Sequence, residues 1–123
     1  MTRSDRKRID DALARAQAGT TGQVALRIIP DDRVDAMARA KAEFTSNDLH
    51  HHGAANAALI LVAPTARRFA VIGDVALHER VGQDFWDETI AQMAATFATG
   101  TPTDAIVQGI DRLGTAFHEH FKA

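Results

Sequence analysis

Apolar residues recur along this chain with two different periods, and the switches between them outline seven elements. From about Ser4 to Ala18, Ile9, Leu13 and Ala16 return at helical spacing with Arg and Asp on the opposite face, and Gly19 stands where a terminating glycine would. Val24, Leu26 and Ile28 then alternate with Gln23, Ala25 and Arg27, the two-residue period of a strand, which Pro30 stops. Asp31 or Asp32 is placed to cap a second helix over about Asp32 to Ser46, with Val34, Met37, Ala38 and Phe44 directed to a core. Periodicity vanishes from Asn47 to Asn56. Ala57 to Ala63 is uninterrupted and apolar, as expected of a central strand covered on both faces.

Pro64 to Arg67 reads as a hairpin connection and Arg68 to Ile72 as the returning strand, ended by Gly73-Asp74. Val75 to Val81 is long enough for a short helical piece. Gly82-Gln83-Asp84 opens another helix, whose buried stripe is Trp86, Ile90, Met93 and Phe97 up to Gly100. Thr101-Pro102-Thr103-Asp104 combines an N-cap, a proline at the first helical position and an acid at the third. The last helix follows, with Ile106, Ile110, Leu113, Phe117 and Phe121 spaced 4, 3, 4 and 4 residues apart. A helix joining the first two strands implies a right-handed parallel crossover, and the next two strands form an antiparallel hairpin. The expected fold is α/β: a three-layer α/β/α sandwich around a small mixed sheet, with residues 1–123 as one domain.

Composition narrows function mainly by exclusion. With 46% hydrophobic and 24% charged residues in 123, the chain is an ordinary globular domain. A net charge of -2 argues against nucleic-acid binding through a bulk positive field. The absence of cysteine removes disulfides, thiolate metal sites and cysteine nucleophiles. Met1 to Arg8 is charged and leads into no apolar segment, and the longest apolar run is too short to cross a bilayer. The chain therefore reads as soluble and cytoplasmic, without direct membrane insertion. It carries no glycine-rich phosphate loop, no G-x-S-x-G, no H-E-x-x-H and no D-x-D after a strand.

Three polar clusters remain. Asp48 with His50, His51 and His52 lies in the loop before the central strand; imidazoles there can take a metal or a proton, though a solvated loop explains them as well. Asp74, His78 and Glu79 follow the third strand, where Asp74 can either cap a turn or serve a site. His118, Glu119 and His120 end the last helix; residues two apart on a helix diverge, so they form no clamp.

Taken together, ARAQAGTTGQVALRI (Ala14 to Ile28), ANAALILVA (Ala55 to Ala63), RRFAVIGDVALHERVGQDFW (Arg67 to Trp86) and FATGTPTDAIVQGIDRLGTAFHEHF (Phe97 to Phe121) resemble the TPM domain family in its compact bacterial form. The resemblance covers about Arg8 to Phe121 and implies an α/β/α sandwich. It also implies that members are acid phosphatases, calcium binders or accessory factors for membrane proteins, some beside a LemA-type membrane protein. Relatives commonly read R-N-G-V-L where this chain has Ala55-Asn56-Ala57-Ala58-Leu59, and an acid where it has Gln23. Asn56 is kept, but the arginine that could clamp a phosphate is alanine.

Two functions are therefore expected. The first is a non-catalytic binding or accessory module acting with a partner protein through Asp48–Asn56 and Asp74–Glu79, with Asn56 and Asp74 as ligand-binding residues. The second is a metal-assisted acid phosphatase-type hydrolase. In it Asp48 and Asp74 hold a divalent ion such as calcium, and Asp74, His78 and Glu79 are the catalytic candidates. Both require that residues 48–56 and 74–79 meet at one rim.

Overall fold

The structure, a computed structural model, describes residues 1–29, 35–46, 53–64 and 68–123. Its elements run α1 (Arg3–Gln17), β1 (Gln23–Ile28), α2 (Ala36–Ser46), β2 (Ala57–Ala63), β3 (Arg68–Gly73), α3 (Val75–Thr99) and α4 (Pro102–His120). β2 is the middle strand, parallel to β1 and antiparallel to β3.

The unbroken apolar run of β2 has the reason the pattern suggests. Ala58, Ile60 and Val62 join one core with α1, α3 and α4, and Ala57, Leu59, Leu61 and Ala63 join a second core with α2. Every residue of the strand is buried. Three layers result, α2 on one face of the sheet and three helices on the other. Burying each large aliphatic side chain is worth roughly 1.5–3 kcal/mol, so the double-faced strand is the centre of the fold's stability.

α2 departs from the expected stripe. Met37 is exposed, and the buried residues are Ala40, Glu43 and Phe44. A glutamate belongs in that stripe because Arg27 of β1 and Arg39 hold its carboxylate at 3.2 and 3.0 Å. Periodicity cannot register an acid whose partners lie on another element. The capping carboxylate of this helix is Asp35, which accepts from the N–H groups of Met37 and Ala38. Asp31, Asp32 and Val34 lie outside the described residues. On β1, Val24 is buried but Ile28 is 40% exposed, and Ile29 turns to the α2 side.

α3 carries its two helical pieces across Gly82, whose φ of 77° and ψ of 169° interrupt the helix. A residue with a Cβ is strained there, so glycine sets the break. α1 and α4 pack together and each begins with a capping box, Thr2 with Asp5 and Thr101 with Asp104. The Thr101 backbone N–H, and then Arg8 of α1 at 3.0 Å, hold the Asp104 carboxyl below its ordinary value of 3.8. Because the folded value is the lower one, this stabilisation is complete above pH 3.8 and is lost as pH falls through the folded value. Asp104→Asn is expected to melt at a lower temperature at pH 7, with the gap to the parent closing in strong acid. A gap of equal size at both pH values would show that the carboxylate charge plays no part. Among the described residues no helix is long and apolar enough to cross a membrane.

Candidate functional site

Strand directions bring together the described part of the expected rim. Because β1 and β2 are parallel and β3 runs back, the starts of β1 and β2 lie at the same end of the sheet as the finish of β3. Backbone pairing continues past the strands: the Asp74 N–H donates to the Ala57 carbonyl and the Ala76 N–H to that of Ala55, both at 2.9 Å. Residues 55–57 and 74–76 are thus tied side by side. Asp48 and the three loop histidines lie outside the described residues.

Asp74 is the N-cap of α3; its Oδ1 accepts from the Val75 N–H at 2.7 Å. Asn56 is wholly buried, and its Nδ2 donates to the Thr21 hydroxyl oxygen at 3.0 Å, anchoring the start of β2 to the turn before β1. Both residues keep one buried oxygen without a donor among the described residues, Asn56 Oδ1 and Asp74 Oδ2. A buried acceptor left unmatched costs about 1–3 kcal/mol, so each oxygen favours a donor or a cation.

Calcium takes about six to eight oxygens. The rim offers two, one of them on a side chain with no solvent exposure, and the Ala55 and Ala57 carbonyls already accept hydrogen bonds. Among the described residues no three His, Asp or Glu side chains are grouped to hold a metal. These residues alone do not fit a resident calcium ion. The two oxygens suit water, whose two O–H groups supply the kind of donor they lack.

Beside the rim is a cleft of about 330 Å³, lined in part by Lys41, Gly73, His78, Gln83 and Trp86. His78 Nδ1 accepts from the Trp86 indole N–H at 2.8 Å, and the two rings are within 12° of parallel. In neutral His78 the proton is therefore on Nε2, which has no partner among the described residues. Glu79 is exposed, and among the described residues its side chain makes no hydrogen bond or ion pair. The His78 N–H donates to the Asp74 carbonyl at 2.9 Å, but among the described residues the side chains of Asp74, His78 and Glu79 form no hydrogen bond or ion pair with one another.

Two residues of this cleft escape a reading of the sequence. Trp86 fits the core stripe of α3 and gives no hint of its indole contact. Eight residues on a regular helix also leave His78 and Trp86 about 80° apart around the axis, and only the break at Gly82 re-aims them. Lys41 carries no motif. At the far end of α4, His118 lies between the carbonyls of Gly114 and Ala18, at 2.8 and 2.9 Å, and so ties α4 to the end of α1.

The family model of the TPM domain matches residues 1–116. This chain belongs to the TPM domain family. The solution structure of the BA42 protein from the psychrophilic bacterium Bizionia argentinensis superposes on this TPM domain with a TM-score of 0.89 at 28% identity. The match covers 99% of this chain and 84% of that one. The N-terminal domain of the cg2496 protein from Corynebacterium glutamicum shares the fold, with a TM-score of 0.74 at 14% identity, over 95% of this chain and 74% of that one. No curated protein matches this TPM domain.

Proposed function

We propose that this TPM domain is a non-catalytic binding module that acts with a partner protein through the rim at residues 55–57 and 74–79 and the cleft beside it. The observation that carries this reading is the engagement of Asp74 and His78 in the fold. One Asp74 oxygen caps α3 and one His78 nitrogen accepts the Trp86 indole, and no side-chain hydrogen bond among the described residues joins either of them or Glu79 to another candidate. A hydrolase needs a nucleophile or activated water with a base in reach of it. The family arginine that would hold a phosphate is Ala55 in this chain. A rim tied by backbone hydrogen bonds presents a fixed shape, which lowers the ordering cost of docking.

The bare oxygens of Asn56 and Asp74 favour a second reading, the metal-assisted phosphatase, for which Asp48, outside the described residues, is the further metal-ligand candidate. One experiment with two arms separates the readings. Hydrolysis of p-nitrophenyl phosphate is followed with and without calcium over the acidic to neutral range. The isotope-labelled domain is also titrated with a purified LemA-type protein from the same genome, the partner suggested by the family resemblance. No turnover, with amide shifts at residues 55–57 and 74–79, is the expected result. Calcium-dependent turnover lost in Asp74→Ala would replace the binding reading with the hydrolase. Shifts confined to other faces, or none, would remove the rim as the contact surface.

A further inference from the structure

A second cleft lies between α3 and α4, about 310 Å³ in volume, and neither Asn56 nor Asp74 lines it. Its wall combines Val81, Phe85 and Ala116 with Arg80, Arg112 and His120. Arg112 is held from several sides. Its Nε donates to the Thr89 hydroxyl oxygen at 3.0 Å, one Nη2 N–H reaches the Phe85 carbonyl at 3.4 Å, and the guanidinium lies 4.7 Å from the centre of the Phe85 ring. Glu88 approaches the same Nη2 at 3.6 Å. The hydrogen bonds and the ion pair use Nε and Nη2, so among the described residues the two N–H groups of Nη1 have no acceptor. A guanidinium pinned this way keeps one arm of its fork ready without further loss of side-chain freedom.

Among the described residues the Arg80 side chain makes no hydrogen bond or ion pair. His120 Nε2 is 3.9 Å from the Glu119 carboxylate, too far for a hydrogen bond. The break at Gly82 separates the piece of α3 that carries Arg80 from the piece that carries Phe85. Thr115, also on the wall, donates its hydroxyl to the Asp111 carbonyl and offers no further proton. Glu119 is the acidic residue of the lining. The two arginines of the cleft are cationic donors, and the lining between them is aromatic and aliphatic.

We propose that this cleft binds a small organic anion, a carboxylate or phosphate group carried on an apolar body. The anion pairs with Arg112 Nη1 and Arg80, and the body rests on Phe85 and Ala116. Free phosphate satisfies the first half of the site and an uncharged aromatic only the second, so both bind more weakly than a molecule that has the two parts. This site is independent of the rim and of any partner that docks there.

The test is an amide chemical-shift titration of the isotope-labelled domain, at constant ionic strength, with phenyl phosphate, inorganic phosphate and phenol. Phenyl phosphate is expected to give saturable shifts around Arg80, Phe85, Arg112 and His120, with a Kd on the order of 1 mM. Inorganic phosphate and phenol should each bind several-fold more weakly. Arg80→Ala and Arg112→Lys, the second keeping the charge but losing the contacts that pin the guanidinium in place, should each weaken phenyl phosphate roughly tenfold. Arg15→Ala, on α1, should leave it unchanged, and the variants' own spectra report whether they are folded. Absence of saturation, shifts that map to the rim, or equal affinity in the two cleft variants and the parent would each overturn the proposal.

Discussion

Phe117→Ala is expected to cost the domain about 3–5 kcal/mol, the largest loss from any single truncation considered for this fold. The ring has no solvent exposure and belongs to the core shared by α1, α3, α4 and one face of β2. It also packs against the backbone of Gly22 at the start of β1: a Cβ built there would fall 2.5 Å from the ring. Removing the ring empties space between helix and strand that backbone on both sides cannot readily close. Chemical denaturation checks this, and the melting temperature should fall by roughly 10–20 °C. A loss below about 1 kcal/mol would mean that the helices do not close over the sheet as described.

Gly73→Ala is the second prediction, and it reaches the cleft beside the rim. A Cβ on Gly73 would lie 2.5 and 2.6 Å from two atoms of the Trp86 indole and 3.2 Å from a Leu77 methyl. Trp86 is 8% exposed, so the indole can move only by leaving its pocket and its hydrogen bond to His78. Overpacking of this kind costs about 1–3 kcal/mol. Trp86 is the single tryptophan of the chain, so its fluorescence reports the displacement directly. Emission should shift to longer wavelength as the indole becomes wetter. His78→Ala should shift emission the same way with a smaller loss of stability, since it removes the acceptor and leaves the packing. Unchanged emission in Gly73→Ala would show that strand end and indole are not in contact.

The Gly73-Asp74 pair at the end of β3 thus has a physical reading in this chain. The glycine leaves room for an indole, and the aspartate starts the helix that brings the indole there. Neither role requires catalysis, which accords with a binding module.

Much of the architecture was legible in the residues alone. Ala57 to Ala63 announced a strand buried on both faces, and Thr101-Pro102-Thr103-Asp104 announced a helix start, because burial and capping act over a few residues. The parallel crossover and the hairpin followed from element order, and with them the meeting of residues 55–57 and 74–76. Reading α2 was less successful: Met37 is outside and Glu43 inside, because the arginine on β1 that makes the acid acceptable is distant in sequence. The helix boundary at Gly82 was visible, but its consequence for His78 and Trp86 was not.

Sequence by itself therefore determined the order, type and layering of the elements, since these depend on period, capping and turn chemistry within short windows. Only the tertiary structure decided which side chains converge. Asn56 with Thr21, His78 with Trp86 and Arg112 with Thr89 are pairs set by how strands align and helices break and cross, and hydrogen bonds that close over a few tenths of an ångström follow that packing rather than any local pattern.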